Sequence, residues 1–185
     1  MNWYCDAASG HEFHGPYHDN EYGFPIQSDN KLFERLCLEI MQAGLSWLTI
    51  LKKKDNFIAA FEGFDPDVVS AYTEPDISRL LNDAGIIRNK LKIAAIIENA
   101  KRIKQIQVDY GSFGNWLDHN HPKPKSEWVK LFKKTFKFTG GEITGEFLMS
   151  TGYLPGTHRD DCPTYIEIEK LNPAWMQVDQ TIFKE

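Results

Sequence analysis

Apolar residues recur along this chain at the spacing of an α-helix, and scarcely anywhere at the two-residue spacing of a strand. Leu32, Phe33, Leu36, Cys37 and Ile40 follow the capping residues Ser28, Asp29 and Asn30, so a helix is expected from Lys31 to a break at Gly44. Residues 47–61 carry a second helical pattern. Asp65-Pro66 and Glu74-Pro75 each put a proline where a first helical turn tolerates it, which predicts two short helices. Ile93, Ile96, Ile97, Ala100 and Ile103 mark one face of a long helix over about 89–107. Further helices are expected from Ser126-Glu127 onward and over 142–150. Phe136-Lys137-Phe138 is the best case for a strand and is equally compatible with a loop. Residues 105–126, with Gly111, Gly114, Pro122 and Pro124, read as a connector holding a short helix. The expectation is one all-α domain spanning residues 1–185.

Composition fits that reading and narrows the function classes. A chain of 185 residues with 42% hydrophobic and 25% charged content can bury a proper core. No stretch approaches the roughly 18 apolar residues of a membrane span. Met1-Asn2-Trp3-Tyr4-Cys5-Asp6 has neither the basic start nor the apolar run of a leader, so a cytoplasmic protein is expected. A monomer is expected too, since no apolar oligomerisation stripe stands out. The net charge of −5 argues against a nucleic-acid partner, but DNA affinity depends on a local basic footprint. Lys52, Lys53 and Lys54 offer one, Lys101, Arg102 and Lys104 another, and residues 123–137 hold six lysines against one acid, Glu127. A solvated lysine-rich face would look the same.

Three cysteines do not suggest a disulfide framework. Cys37 lies in the apolar helix and reads as core. Cys5 and His18 near one end, and His158 and Cys162 near the other, are two thiol–imidazole pairs that would satisfy tetrahedral zinc and tie remote segments together. Spacing alone also accommodates buried thiols with unrelated surface histidines, and His11 and His14 compete for the first pair. His119 and His121 fall in the polar connector, where solvated side chains are expected.

Three further segments could carry chemistry. The polar, aromatic run over 17–23 (Tyr17-His18-Asp19-Asn20-Glu21-Tyr22-Gly23) suits a flat heterocycle held by stacking and hydrogen bonds, or is a structured loop. Glu39 interrupts an apolar helix before Gly44, with Trp47 opening the next. It is either an edge glutamate paired with a lysine or arginine, or an acceptor set to receive protons from a ligand. Residues 82–90 make a glycine turn at Gly85 leading into a helix N-terminus, where backbone N–H groups with Lys90 and Lys92 could hold a phosphate. An ordinary helical corner is the plainer alternative.

Taken together these segments resemble the 3-methyladenine DNA glycosylase I family, a zinc-containing branch of the helix-hairpin-helix glycosylases. The matching stretches are the 17–23 run, Leu38-Glu39, Gln42-Ala43-Gly44-Leu45-Ser46-Trp47, Leu51-Lys52-Lys53 and Asp83-Ala84-Gly85-Ile86-Ile87-Arg88 with Lys92-Ile93. Phe136-Lys137-Phe138 before Gly140, and the His158/Cys162 pair, follow in order, so about residues 5–162 are covered. The resemblance implies an enzyme that flips an N3-methylated adenine out of double-stranded DNA and hydrolyses its glycosidic bond. It implies that Glu39 meets the base edge, with Tyr17, Trp47 and His14 around it. Gln42, Gly44 and Leu45 would fill the gap left in the duplex, and residues 83–92, with Gly85, Lys90 and Lys92, would grip the backbone. Cys5, His18, His158 and Cys162 match the family's ligands for one structural zinc. His14 stands where the family commonly has a tyrosine, Tyr22 where it has a tryptophan, and residues 141–146 replace a Thr- and Tyr-bearing stretch. These departures leave room for a DNA-binding module that has lost the pocket. A zinc hydrolase of another substrate is the remaining alternative. The tail over 163–185 has no counterpart in the resemblance.

Overall fold

Short polar side chains start the helices. Ser28 accepts from the Lys31 N–H, Ser46 from that of Thr49 at 3.2 Å, and Ser112 from that of Asn115 at 2.9 Å. Asn89 takes the N–H groups of both Leu91 and Lys92. In the computed structural model, which describes residues 3–184, these caps open members of an all-helical chain. Met1 and Asn2, at the head of the stretch read for leader features, and Glu185 lie outside the described residues. The helices are α1 (Tyr4–Ala8), α2 (His14–Asn20), α3 (Asp29–Gln42), α4 (Trp47–Ala60), α5 (Pro66–Ser70) and α6 (Glu74–Asn82). There follow α7 (Lys90–Tyr110), α8 (Phe113–Asn120), α9 (Lys125–Thr135), α10 (Gly141–Ser150) and α11 (Pro163–Leu171). No strand occurs among the described residues. No helix there is long and apolar enough to cross a membrane.

One core joins them. Leu32, Phe33, Leu36, Cys37 and Ile40 of α3 are fully buried against Ile93, Ile96, Ala100 and Ile103 of α7, with Phe57, Phe61, Phe64, Phe113, Trp128, Phe132 and Phe147 filling the space around them. Asp29 fastens the start of α3 to α8, accepting from the N–H groups of Phe113 and Gly114 and the amide of Gln107. It therefore caps a distant helix, while Ser28 caps its own.

The structure decides four stretches that the sequence leaves open or reads differently. The 105–126 connector is mostly helical, because Ile106 keeps the buried face of α7 going until Gly111, at φ +87°, turns the chain. Residues 136–138 are loop. There Asn99, fully buried, donates to the Lys137 carbonyl and accepts its N–H, taking the backbone groups that a strand would have paired. The 17–23 run is not a loop throughout, since its first half lies in α2. The tail packs on the body. Pro173 is buried, the Trp175 N–H donates to the Gly152 carbonyl, and His121, expected in solvent, binds the Ala174 carbonyl at 3.0 Å and stacks near Phe183. His119 is exposed beside Tyr110, as expected of the connector.

Lys92 shows how tertiary packing reassigns a charge. It is 4% exposed, and its ammonium donates to the carbonyls of Met41 (2.8 Å) and Ala43 (2.6 Å), capping the C-terminal end of α3. Burial lowers its pKa. The expected phosphate contact from Lys92 is thus replaced by a structural one. Lys92→Met should destabilise the fold by about 1–3 kcal/mol by stranding those carbonyls. Thermal unfolding followed by circular dichroism checks this, and an unchanged midpoint would remove Lys92 from the frame of the fold.

Candidate active site and metal centre

The C-terminal half of α3, the turn after it and the N-terminal half of α10 enclose a cavity of about 740 Å³. Tyr4 of α1, Tyr17 of α2 and Tyr22 just beyond α2 form one wall, and Trp47 at the start of α4 closes on Tyr17 with ring centroids 5.1 Å apart. Tyr4 meets Tyr22 edge-on at 5.3 Å, and Tyr17 lies 5.6 Å from Tyr22. Gln42, Ala43, Gly44 and Leu45 line the cavity from the α3–α4 turn, where Gly44 takes φ +82°. Leu45 is exposed there, an apolar side chain in solvent beside an opening. Gly140, Gly141, Glu142, Ile143 and Glu146 complete the lining.

Glu39 projects from α3 into this space. It is 4% exposed and makes no hydrogen bond or ion pair with any described residue, which is rare for a buried carboxyl. Burial, then the nearby Glu146, push its pKa up to about 8, against a smaller lowering from Arg35. Arg35 is already engaged by Glu21 (3.2 Å) and the Ser150 carbonyl (3.2 Å), and it lies over the Tyr17 ring at 5.1 Å. The paired-glutamate alternative for Glu39 therefore does not describe this fold. Trp47 adds a second open group, a buried indole N–H with no partner. Glu146 is also raised by burial, and its Oε2 accepts from the Tyr22 hydroxyl at 3.3 Å. No lysine, arginine or histidine is among the lining residues. A cavity walled by rings, holding unpartnered donors and acceptors and an acidic lining, can take a flat polar heterocycle, and a cationic one best.

The structure thus brings Tyr17, Glu39, Gln42, Gly44, Leu45 and Trp47 together. His14 is not in the lining; it stands behind Tyr4, whose hydroxyl lies 2.8 Å from its Nδ1, so Tyr4 occupies the wall where His14 was expected. Gly85 sits in the α6–α7 connection with its N–H taken by the Asp83 carboxylate at 2.7 Å and its carbonyl by Asn56. Arg88 and Lys90 are exposed there and form no ion pair among the described residues. The triple lysine does not act as a unit, since its members have separate partners within the protein. Lys54 pairs with Glu21, Lys53 reaches the Ala84 and Gly85 carbonyls, and Lys52 lies over the Phe13 ring. Tyr4, Glu142 and Glu146 were not legible as site residues. The i, i+4 spacing of the two glutamates puts them on one helix face, but nothing in the sequence says which face meets the cavity.

Behind the tyrosine wall lies a second constellation. Cys5 of α1, His18 of α2, His158 and Cys162 at the start of α11 are all buried, and their donor atoms lie within 4.8 Å of one another. The His18 Nε2 and His158 Nδ1 are 3.0 Å apart, and sulfur-to-nitrogen separations run from 3.7 to 3.8 Å. The remaining ring nitrogens are held from outside, His18 Nδ1 by the Asp19 carboxylate at 2.6 Å and His158 Nε2 by the Tyr22 carbonyl at 2.7 Å. That arrangement aims the free lone pairs inward, the outer support typical of imidazole ligands. The cluster can hold a metal ion. His11 and His14 are not part of it.

The Methyladenine glycosylase family model matches residues 7–130. The DNA-3-methyladenine glycosylase 1 of Escherichia coli (strain K12) is 38% identical, covering 87% of this chain and 96% of its own length. The DNA-3-methyladenine glycosylase of Haemophilus influenzae is 35% identical, covering 88% and 98%. A solved structure of 3-methyladenine DNA glycosylase I from Staphylococcus aureus, concerned with 3-methyladenine recognition, superposes with a TM-score of 0.78 at 32% identity over 86% of this chain and 95% of that one. By the match over two thirds of its length and by its likeness in sequence and fold to these relatives, this chain belongs to the methyladenine glycosylase family.

Proposed function

We propose that this chain is a monofunctional base-excision glycosylase that hydrolyses the N-glycosidic bond of N3-methyladenine and related N3-alkylated purines in double-stranded DNA. The observation that carries the reading is Glu39, a buried carboxyl facing an aromatic-walled cavity with no partner of its own. A flipped purine fits between Tyr17, Tyr22 and Trp47, and its exocyclic amine donates to Glu39. Alkylation at N3 makes the base cationic and a good leaving group. Water then adds at C1′, the C1′–N bond breaks with its electron pair passing to the base, and the water gives up a proton. The cation favours the ionised form of Glu39, so recognition and charge stabilisation come from one contact. Leu45, exposed at the mouth beside Gln42 and Gly44, fills the vacated stack, while Lys90, exposed at the start of α7, holds the backbone and Gly85 shapes the turn that carries it. The chain acts as a monomer in the cytoplasm. The retained cavity disfavours a DNA-binding module that has lost its pocket.

The metal in this reading is one structural zinc. Tetrahedral zinc at about 2.3 Å from sulfur and about 2.0–2.1 Å from nitrogen places nitrogens roughly 3.3 Å and sulfur–nitrogen pairs roughly 3.5–3.6 Å apart, close to the separations between these donors. Four protein ligands leave no open position for an activated water, which also disfavours a zinc hydrolase.

Glu39→Gln should lower kcat/KM for release of 3-methyladenine from methylated duplex DNA by roughly 10–150-fold, the worth of one charged hydrogen bond. Chromatography of released bases reads it, and full activity in the variant would remove Glu39 from the site. In the wild type kcat/KM should climb with pH towards about 8 as Glu39 ionises, and Glu39→Gln should lack that limb.

The same group should cost stability. Its folded form keeps a proton that the unfolded chain loses above about 4.5, so stability falls as pH rises from there to about 8. Glu39→Gln is therefore expected to melt several degrees above wild type at pH 8, a gain that shrinks towards pH 4.5. Elemental analysis should find one zinc per chain, and Cys162→Ser should lower the melting midpoint by about 10 °C or more. Metal-free protein with the wild-type midpoint would end the zinc assignment.

A further inference from the structure

Glu146 is a cavity carboxyl for which neither the helical pattern nor the family resemblance accounts. It belongs to the stretch 141–146, which departs from the family, and α10 places it in the same lining as Glu39, with Glu142 one turn before it. The Tyr22 hydroxyl fixes its orientation from the aromatic wall at 3.3 Å. Gly145 has no side chain, and the stem of Lys125 fills that space, its Cε lying 2.6 Å from where a Cβ would stand. The Lys125 charge therefore acts on Glu146 from α9, outside the cavity lining. Arg35, the cation facing Glu39 from within α3, is committed to Glu21 and the Ser150 carbonyl. The cavity lining thus holds three carboxyls and no cationic side chain, Lys125 and Arg35 acting only from behind it, and one of the three, Glu39, is buried without a partner.

Two carboxyls sharing a low-dielectric space oppose each other's ionisation, and a positive ligand between them relieves that opposition. A neutral ring of the same shape gains the stacking but not the relief. We propose that Glu146 is a specificity-determining residue of this cavity, its carboxylate acting with Glu39 to select heterocycles bearing a fixed positive charge over neutral ones of the same outline. The proposal rests on the base-binding reading of the cavity and adds to it a second residue that selects for the charge of the base.

The test uses the intact chain and two probes that cannot be hydrolysed, the cation 3,9-dimethyladeninium and neutral 9-methyladenine, with quenching of the cavity's Trp47 fluorescence as readout. Wild type should prefer the cation. Glu146→Gln and Glu146→Ser, two neutral variants checked for cooperative melting, should weaken cation binding about tenfold and change 9-methyladenine binding less than twofold. Glu146→Asp, which keeps the charge, should retain most of the preference. A purely structural role would shift both probes together. Preference for the cation in wild type that survives in the neutral variants overturns the role of Glu146 alone. Equal binding of the two probes by wild type overturns the charge selection and leaves the base pocket standing, whereas no binding of either probe overturns the base-pocket reading and the proposal with it.

Discussion

From Leu32 to Met41 helix α3 is buried on all sides, so every polar group on that stretch must be answered from inside the protein. Most of its groups are. Glu34 is met by Lys31, Arg35 by Glu21 and a carbonyl, and the last carbonyls of the helix by the ammonium of Lys92. Glu39 is the exception, left with a cavity in place of a partner. A buried carboxyl without a hydrogen bond is a cost that folding alone would not retain, and a ligand that supplies the missing donor removes it. The frame around α3 is thus what makes one glutamate chemically available and holds it in place.

The end cluster serves the same cavity from behind. Tyr4 precedes Cys5, Tyr17 precedes His18, and the carbonyl of Tyr22 receives the ring N–H of His158. Each member of the tyrosine wall is therefore next to a donor of the cluster or bonded to one. A metal bound there would fix the backbone positions from which the three rings project, so its contribution to base binding would pass through geometry and not through chemistry at the ion. The same clip joins α1 and α2 to the start of α11, which helps place the packed tail.

Much of this was legible in advance. Helical spacing located α3, α4 and α7, the Asp-Pro and Glu-Pro steps located α5 and α6, and the remote thiol–imidazole pairs met as the resemblance implied. Glu39 stood out because a carboxyl inside an apolar helical face contradicts its surroundings. Lys92 was misread because a lysine beside Lys90 in the first turn of a helix suits a surface cation, and only the approach of α3 to the start of α7 buries it. His14 and Tyr4 exchanged places in the same way, since which of two aromatic side chains reaches the cavity depends on the angle between α1 and α2. The stretch 141–146 was marked only as a departure from the family, and Glu142 and Glu146 were not singled out within it, because a charged pair on one helix face normally points to water.

The sequence by itself determined the helical class, the capping points, the apolar faces and the residue types available for a metal and for a base pocket. Those properties follow from short-range sterics and periodicity, which act over a few neighbours. Only the tertiary structure decided which polar residues were left without partners, which lysines were spent on carbonyls, and which carboxyls share the cavity. Those outcomes depend on desolvation and on contacts between segments remote in the chain, from 31 residues apart for Lys53 and Ala84 to 124 for Tyr22 and Glu146, and the local sequence does not encode them one residue at a time.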